Sequence, residues 1–139
     1  MSADFEDRWE RVVHAIEADG RYSLSAFGFL VDVQAAAVAR VYADVPTPPE
    51  MRHVTGRDIC DALRIVATER WGPLATTVLK SWGVRRTRDV GEMVYLLVRE
   101  KWWGVQESDR IEEFDDVFHF DDAFGAYEPR TDLTRTVDV

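Results

Sequence analysis

Five times along this 139-residue chain, apolar side chains recur at three- and four-residue intervals, and each run is then broken by glycine or proline. That period marks a helix with one buried face, and the breaks limit how many such helices the chain can make. Phe5, Trp9, Val12, Val13 and Ile16 form the first stripe, which ends at Gly20. Phe27, Leu30, Val31, Val38, Val41 and Tyr42 form the second, starting near Ser23 or Ser25, either a competent N-cap. Its alanine-rich middle, residues 34–39, suits close approach of another helix. Pro46, Pro48 and Pro49 then make a stiff connector. Thr55 and Asp58 have capping-box spacing ahead of the third stripe, Ile59, Leu63, Val66, Ala67 and Trp71, which Gly72-Pro73 stops.

A short fourth helix follows, with Leu74, Ala75, Val78, Leu79 and Trp82 expected on its inner face and Gly83 at its end. Thr87 is expected to cap the fifth, where Asp89 and Glu92 lie favourably near the positive end. Its stripe is Val90, Met93, Val94, Leu97 and Val98, and residues 93–98 are apolar almost all round, which predicts a central helix. Trp71 and Trp82 each close an inner stripe and are expected to be mostly buried.

After Trp102-Trp103-Gly104 the helical period fades. Val105 and Ile111 flank a polar stretch that suits the turn of a short β-hairpin, so any strand should lie within about residues 103–118. Helix, stop, short helix, glycine-containing turn, longer helix and hairpin is the order of a winged helix-turn-helix. The expected fold is therefore mainly α: about five helices in one domain over residues 1–128, winged-helix-like from 55 to 118, with a flexible tail at 129–139.

Charge is unevenly placed. The whole chain carries −9, yet residues 1–103 hold fifteen acidic and fourteen basic side chains, a net of −1. Residues 104–128 carry nine carboxylates against Arg110 alone. Phe114, Phe118, Phe120, Phe124 and Tyr127 are threaded through that segment, and rings at such density call for burial. An acidic balance works against general nucleic-acid binding. The single cysteine, Cys60, excludes an internal disulfide framework. No uninterrupted apolar run reaches membrane-spanning length, and the N-terminus is acidic from residue 4 without a signal-peptide core. The expectation is a cytoplasmic protein with no membrane contact.

The stretch from Thr55-Gly56 through Gly72-Pro73-Leu74-Ala75, Val78-Leu79, Trp82-Gly83-Val84 and TRDVGE at 87–92, closing with FDDAF at 120–124, carries a likeness. It resembles a family of short bacterial proteins described as a planctomycete–verrucomicrobial conserved hypothetical protein. Arg21-Tyr22 and Ala26-Phe27 match its N-terminal part more loosely, and the Trp102-Trp103 pair departs from the smaller apolar residues expected there. The resemblance implies a folded bacterial domain and brings no activity with it.

Candidate sites are few. His119 lies among Asp115, Asp116, Asp121 and Asp122, hard ligands with one imidazole, but without EF-hand spacing; a solvated acidic face is the expected reading, with no metal or other cofactor. His14 and His53 are isolated in sequence. Cys60 sits close to an inner helical face and reads as a small hydrophobe; to act as a nucleophile it would need a base such as His53. No phosphate-binding loop or nucleophile elbow occurs, so no catalysis is expected. Lys80, Arg85, Arg86 and Arg88 cluster round the turn before the fifth helix, where a helix-turn-helix would meet phosphates, but Asp89, Glu92 and the acidic hairpin oppose this.

Phe114 and Phe118 are spaced i,i+4, as are Phe120 and Phe124. Each pair could dock on a basic, apolar groove of another protein or a second copy, or fold back over the chain's own fifth helix. The sequence thus points to a non-enzymatic interaction or adaptor module, with a winged-helix DNA-binding regulator as the alternative. It also predicts that residues 107–122 lie against the helical body near the basic turn.

Overall fold

The computed structural model describes residues 3–125; the expected tail, with Tyr127, lies outside the described residues. Helices α1 (Ala3–Asp19), α2 (Leu24–Val41), α3 (Gly56–Trp71), α4 (Ala75–Ser81) and α5 (Thr87–Arg99) follow the expected order, and a short α6 (Phe120–Phe124) closes the chain. Single 3-10 turns occur at Pro49–Met51, Gly72–Leu74 and Ile111–Phe114. The fold is mainly α.

Local chemistry sets the boundaries. The Ser23 hydroxyl accepts from the Ala26 amide at 3.3 Å and starts α2. The capping box forms at α3: Thr55 Oγ1 accepts from Asp58 N at 3.1 Å, and Asp58 Oδ2 accepts from Thr55 N at 2.9 Å. Each bond satisfies a donor that the first helical turn leaves unpaired.

The expected cap of α5 is wrong. Asp89 does that work, its Oδ2 accepting from the amides of Arg85 and Arg86 at 2.9 and 3.2 Å. Its Oδ1 accepts from Tyr22 Oη at 2.6 Å, which ties the α1–α2 turn to the start of α5. Thr87 is buried and bonds elsewhere, as described below.

Helices α2 and α3 pack antiparallel. The ring of Phe29 near the start of α2 lies 4.9 Å from that of Trp71 at the end of α3, and Asp32 pairs with Arg70 at 3.0 Å. At the other end Tyr42 Oη donates to the His53 carbonyl at 2.6 Å. Between them Phe27, Leu30, Val33, Ile59, Leu63 and Ala67 are buried, and α5 adds Val90, Met93, Val94, Leu96 and Leu97.

Several expected core positions fall outside it. Leu74, Val31 and Val41 are exposed, and Trp71 and Trp82 are only half-buried. The two indoles pack edge-on at 5.5 Å, and Phe29 contacts both, so they form an aromatic seam at the rim rather than a centre. Each indole closes its helix, Trp71 at the end of α3 and Trp82 just past α4, and packs on the core from there. Trp102, just after α5, packs on Phe5 and Trp9 of α1 at 5.2 and 5.1 Å.

The hairpin does not form. Residues 103–118 run as turns and one 3-10 turn, and no strand occurs among the described residues. Strand pairing there would have to compete with burial of Phe114, and burial wins. By length and composition alone α2 could cross a membrane, being 18 residues with a mean hydropathy of 1.5. In this fold one of its faces is part of the core.

Candidate functional site

The acidic segment folds back onto the helices, and one side chain accounts for how. Phe114, 2% exposed, enters between the N-terminus of α3 and the first turns of α5. Both helices carry glycine where it lands. A Cβ at Gly91 would come within 2.8 Å of Phe114 Cβ, and one at Gly56 within 2.8 Å of Phe114 Cε2. Any side chain at either position would occupy the ring's space.

Thr87 locks the backbone beside the ring. Its hydroxyl donates to the Phe114 carbonyl at 2.6 Å and accepts from the Val117 amide at 3.2 Å. Outside this plug, Arg88 meets Asp115 at 2.9 Å, Glu92 at 3.2 Å and Glu112 at 3.9 Å. Exposed pairs of this kind add little each, so the ring holds the segment and the charges orient it.

Of the residues singled out in sequence, Phe114, Phe120 and Phe124 are buried within the chain and Phe118 is half-buried. The rings of Phe118, Phe120 and Phe124 form a mutual cluster with centroids 5.7–5.9 Å apart. Phe114, Phe120 and Phe124 thus pack within the chain, and Phe118 keeps part of its surface open.

Arg88 is engaged by the acidic segment. Lys80, Arg85 and Arg86 are exposed and have no ion-pair partner among the described residues. Asp89 and Glu92, whose charge opposes DNA binding in the sequence reading, are half-buried: Asp89 is the cap described above, and Glu92 also pairs with Arg21 at 3.5 Å.

Where the returning segment crosses the start of α3 and the end of α5, it leaves a cleft of about 310 Å³, at the small end of the range for ligand pockets. Gln34, Glu50, Arg52 and His53 line it from α2 and the approach to α3, and Tyr95, Trp103, Gln106, Asp109 and Glu113 from α5 and the returning segment. Val54, Ile59, Val94 and Phe114 line it with apolar surface. His53 Nε2 lies 3.2 Å from the Asp109 carboxylate, which is itself 10% exposed. Asp109 also accepts from the Gln106 amide at 2.7 Å, so the loop that carries it is fixed in place.

Burial pushes the Tyr95 phenol above its ordinary value, helped by the carboxylates of Asp109, Glu113 and Glu112, and it stays protonated at neutral pH. Three carboxylates, Glu50, Asp109 and Glu113, stand in the lining with Arg52 and His53, beside the rings of Tyr95, Trp103 and Phe114, and so arranged the cleft suits a positively charged group. Its lining residues include no Ser, Thr, Cys or Lys.

Sequence reasoning missed this site. His53 and Asp109 stand 56 positions apart, and no spacing rule couples them. They meet only because Phe114 draws the segment back across α3.

Cys60 is fully buried and absent from the cleft lining, so His53 does not serve it. Burial pushes its thiol up to about 12 from an ordinary 9.0. Two results follow. Native Cys60 should resist alkylation at neutral pH and react only on unfolding. The protein should also lose stability as pH rises past about 9, because the unfolded chain ionises Cys60 there while the folded chain does not. The hydroxyl of Tyr22, likewise raised from 10.0 by burial and its bond to Asp89, adds to the loss above pH 10. Unfolding free energies that stay flat between pH 8 and about 11 would contradict this.

Among the described residues no three His, Cys, Asp or Glu side chains converge in a way that could hold a metal ion, His119 and its neighbours included. Fold and site together define a small all-α chain with an acidic, aromatic cleft. No known protein family, curated protein or solved structure matches it.

Proposed function

We propose that the protein is a non-enzymatic interaction module that docks a cationic segment of another protein on its acidic, aromatic face. The observation that carries this reading is the fixed return of residues 101–118. Phe114 anchors it, Glu107, Glu112, Asp115 and Asp116 stay exposed outside, and Trp103, Asp109 and Glu113 wall the cleft. A lysine or arginine side chain could enter between Tyr95 and Trp103 toward two carboxylates, while the outer carboxylates steer its approach. This moves the partner-binding role from the phenylalanines to the cleft and the carboxylates. A cytoplasmic setting is part of the proposal, as is a bacterial source, on the resemblance given above.

The test is calorimetric titration with a panel of Arg- and Lys-containing peptides against acid-containing controls. Binding should be selective for the basic peptides, weaken with added salt, and fall by about tenfold in the Asp109→Asn, Glu113→Gln variant. Both substitutions keep an oxygen for the amides these side chains already bond, so the wall should stay in place. Absence of binding up to millimolar peptide would reject the reading.

The alternative, a DNA-binding regulator built on a winged-helix-like arrangement of α3, α4 and α5, has one observation in its favour. Lys80, Arg85 and Arg86 lie exposed at the turn before α5. The engagement of Arg88 by carboxylates weighs against it. Duplex DNA should bind no tighter than about 10⁻⁴ M at physiological salt. Submicromolar binding abolished by Arg85→Ala with Arg86→Ala would reverse the order of the two readings.

A further inference from the structure

The charges lining the cleft do not cancel one another. Arg52 stands there with Glu50, Asp109 and Glu113, yet it forms an ion pair with no carboxylate among the described residues. Asp109 meets His53 instead. The Arg52 guanidinium is nonetheless held in place. Its Nε donates to the Thr47 carbonyl at 2.6 Å, and Thr47 lies between Pro46 and Pro48 in the stiff connector. Its two terminal nitrogens have no hydrogen-bond partner among the described residues. A guanidinium oriented in this way presents a fork that matches a carboxylate with two parallel bonds. One cleft therefore offers seats of both signs, Arg52 for an anion, and Asp109 and Glu113 beside the two rings for a cation.

We infer that the residue entering the cleft is the C-terminal lysine or arginine of the partner, its side chain turned to Asp109 and Glu113 and its free α-carboxylate to Arg52. This rests on the cation-docking reading above and specifies which part of the partner docks. Size argues for a single residue carrying both charges. A cleft of about 310 Å³ takes one long side chain with its own backbone, whereas a helix is about 10–12 Å across. At a chain end a basic residue brings a carboxylate of its own. An acidic side chain on a neighbouring residue would need room for a second residue, and would have to pass the exposed Glu107, Glu112, Asp115 and Asp116. Those outer carboxylates also favour a chain end over a free amino acid, because basic residues upstream of the last one can meet them.

Calorimetric titration with a basic peptide ending in arginine tests this, once as the free acid and once as the C-terminal amide. The amide is one charge unit more positive, so a protein of net charge −9 attracts it more strongly at long range. The acid should nevertheless bind about tenfold tighter. Arg52→Gln changes an exposed position and should keep the melting temperature. In that variant the acid should fall to the amide's affinity or below, while the amide binds no worse. Nα-acetyl-arginine has both charges without the chain, and it should bind at least about tenfold more weakly than the peptide acid. An amide that binds as tightly as the acid would overturn the inference and leave cation docking in force. So would a preference for the acid that survives Arg52→Gln. Acetyl-arginine that matched the peptide would overturn the chain end in favour of a free amino acid. If neither peptide form bound up to millimolar concentration, the cation-docking reading would fall and the inference with it.

Discussion

Replacing Phe114 by Ala should lower the unfolding free energy by about 3–5 kcal/mol. Against a total of about 5–15 kcal/mol for a domain of this kind, that is a large share. The ring is almost wholly buried, and the two glycines that face it cannot fill the space it leaves. The cavity therefore persists rather than collapsing, which is the costly case. The return of residues 101–118 should loosen with it, so the variant should also lose its affinity for basic peptides. Thr87→Val is the companion change. It keeps the shape but strands the Phe114 carbonyl and the Val117 amide, at a cost of about 1–3 kcal/mol. Urea unfolding followed by tryptophan fluorescence measures both. A loss below about 1 kcal/mol for Phe114→Ala would show that the segment does not hold to the body as described.

The second large effect is expected at Gly83. This residue ends the α4 turn with φ at +92°, and a Cβ there would collide with the backbone carbonyl oxygen of Arg21. Conformation alone costs a non-glycine residue about 1–2 kcal/mol in that region. The collision adds to it because neither side can yield freely. The Ser23 amide donates to the Trp82 carbonyl at 3.1 Å, so the α1–α2 turn is fastened to this one. Gly83→Ala should therefore cost about 3 kcal/mol or more, well above the usual surface substitution. Gly28→Ala, in open space on α2, should be neutral or mildly stabilising as a helix substitution. If the two variants melted together, the contact between the two turns would not be the constraint it is taken for.

Much of the helical frame was legible residue by residue. The five stripes, the stops at Gly20, Gly72-Pro73 and Gly83, the Ser23 cap and the Thr55–Asp58 box all rest on interactions within one or two turns of chain. The return of the acidic segment was legible in outline too, because phenylalanines set among carboxylates need burial that a free tail cannot provide. The hairpin reading failed on the same residues. A polar stretch between Val105 and Ile111 suits a turn equally well whether strands or a 3-10 wall follow it. What decides is whether Phe114 finds a receptor, and that receptor is two glycines 35 positions apart on different helices. Thr87 was misread for a similar reason. A threonine at a helix start has a local use as a cap, and only the presence of Phe114 and Val117 beside it diverts the hydroxyl.

By itself, then, the sequence determined the five longer helices, their order, most of their ends and the location of the excess charge, since helix formation and capping are settled largely by near neighbours. Tertiary structure alone decided that His53 and Asp109 share a cleft, and which phenylalanines of the segment, Phe114, Phe120 and Phe124, are buried within the chain. Each of these depends on which surfaces are left after packing, and that is a property of the assembled body, in which residues far apart in the chain compete for the same space.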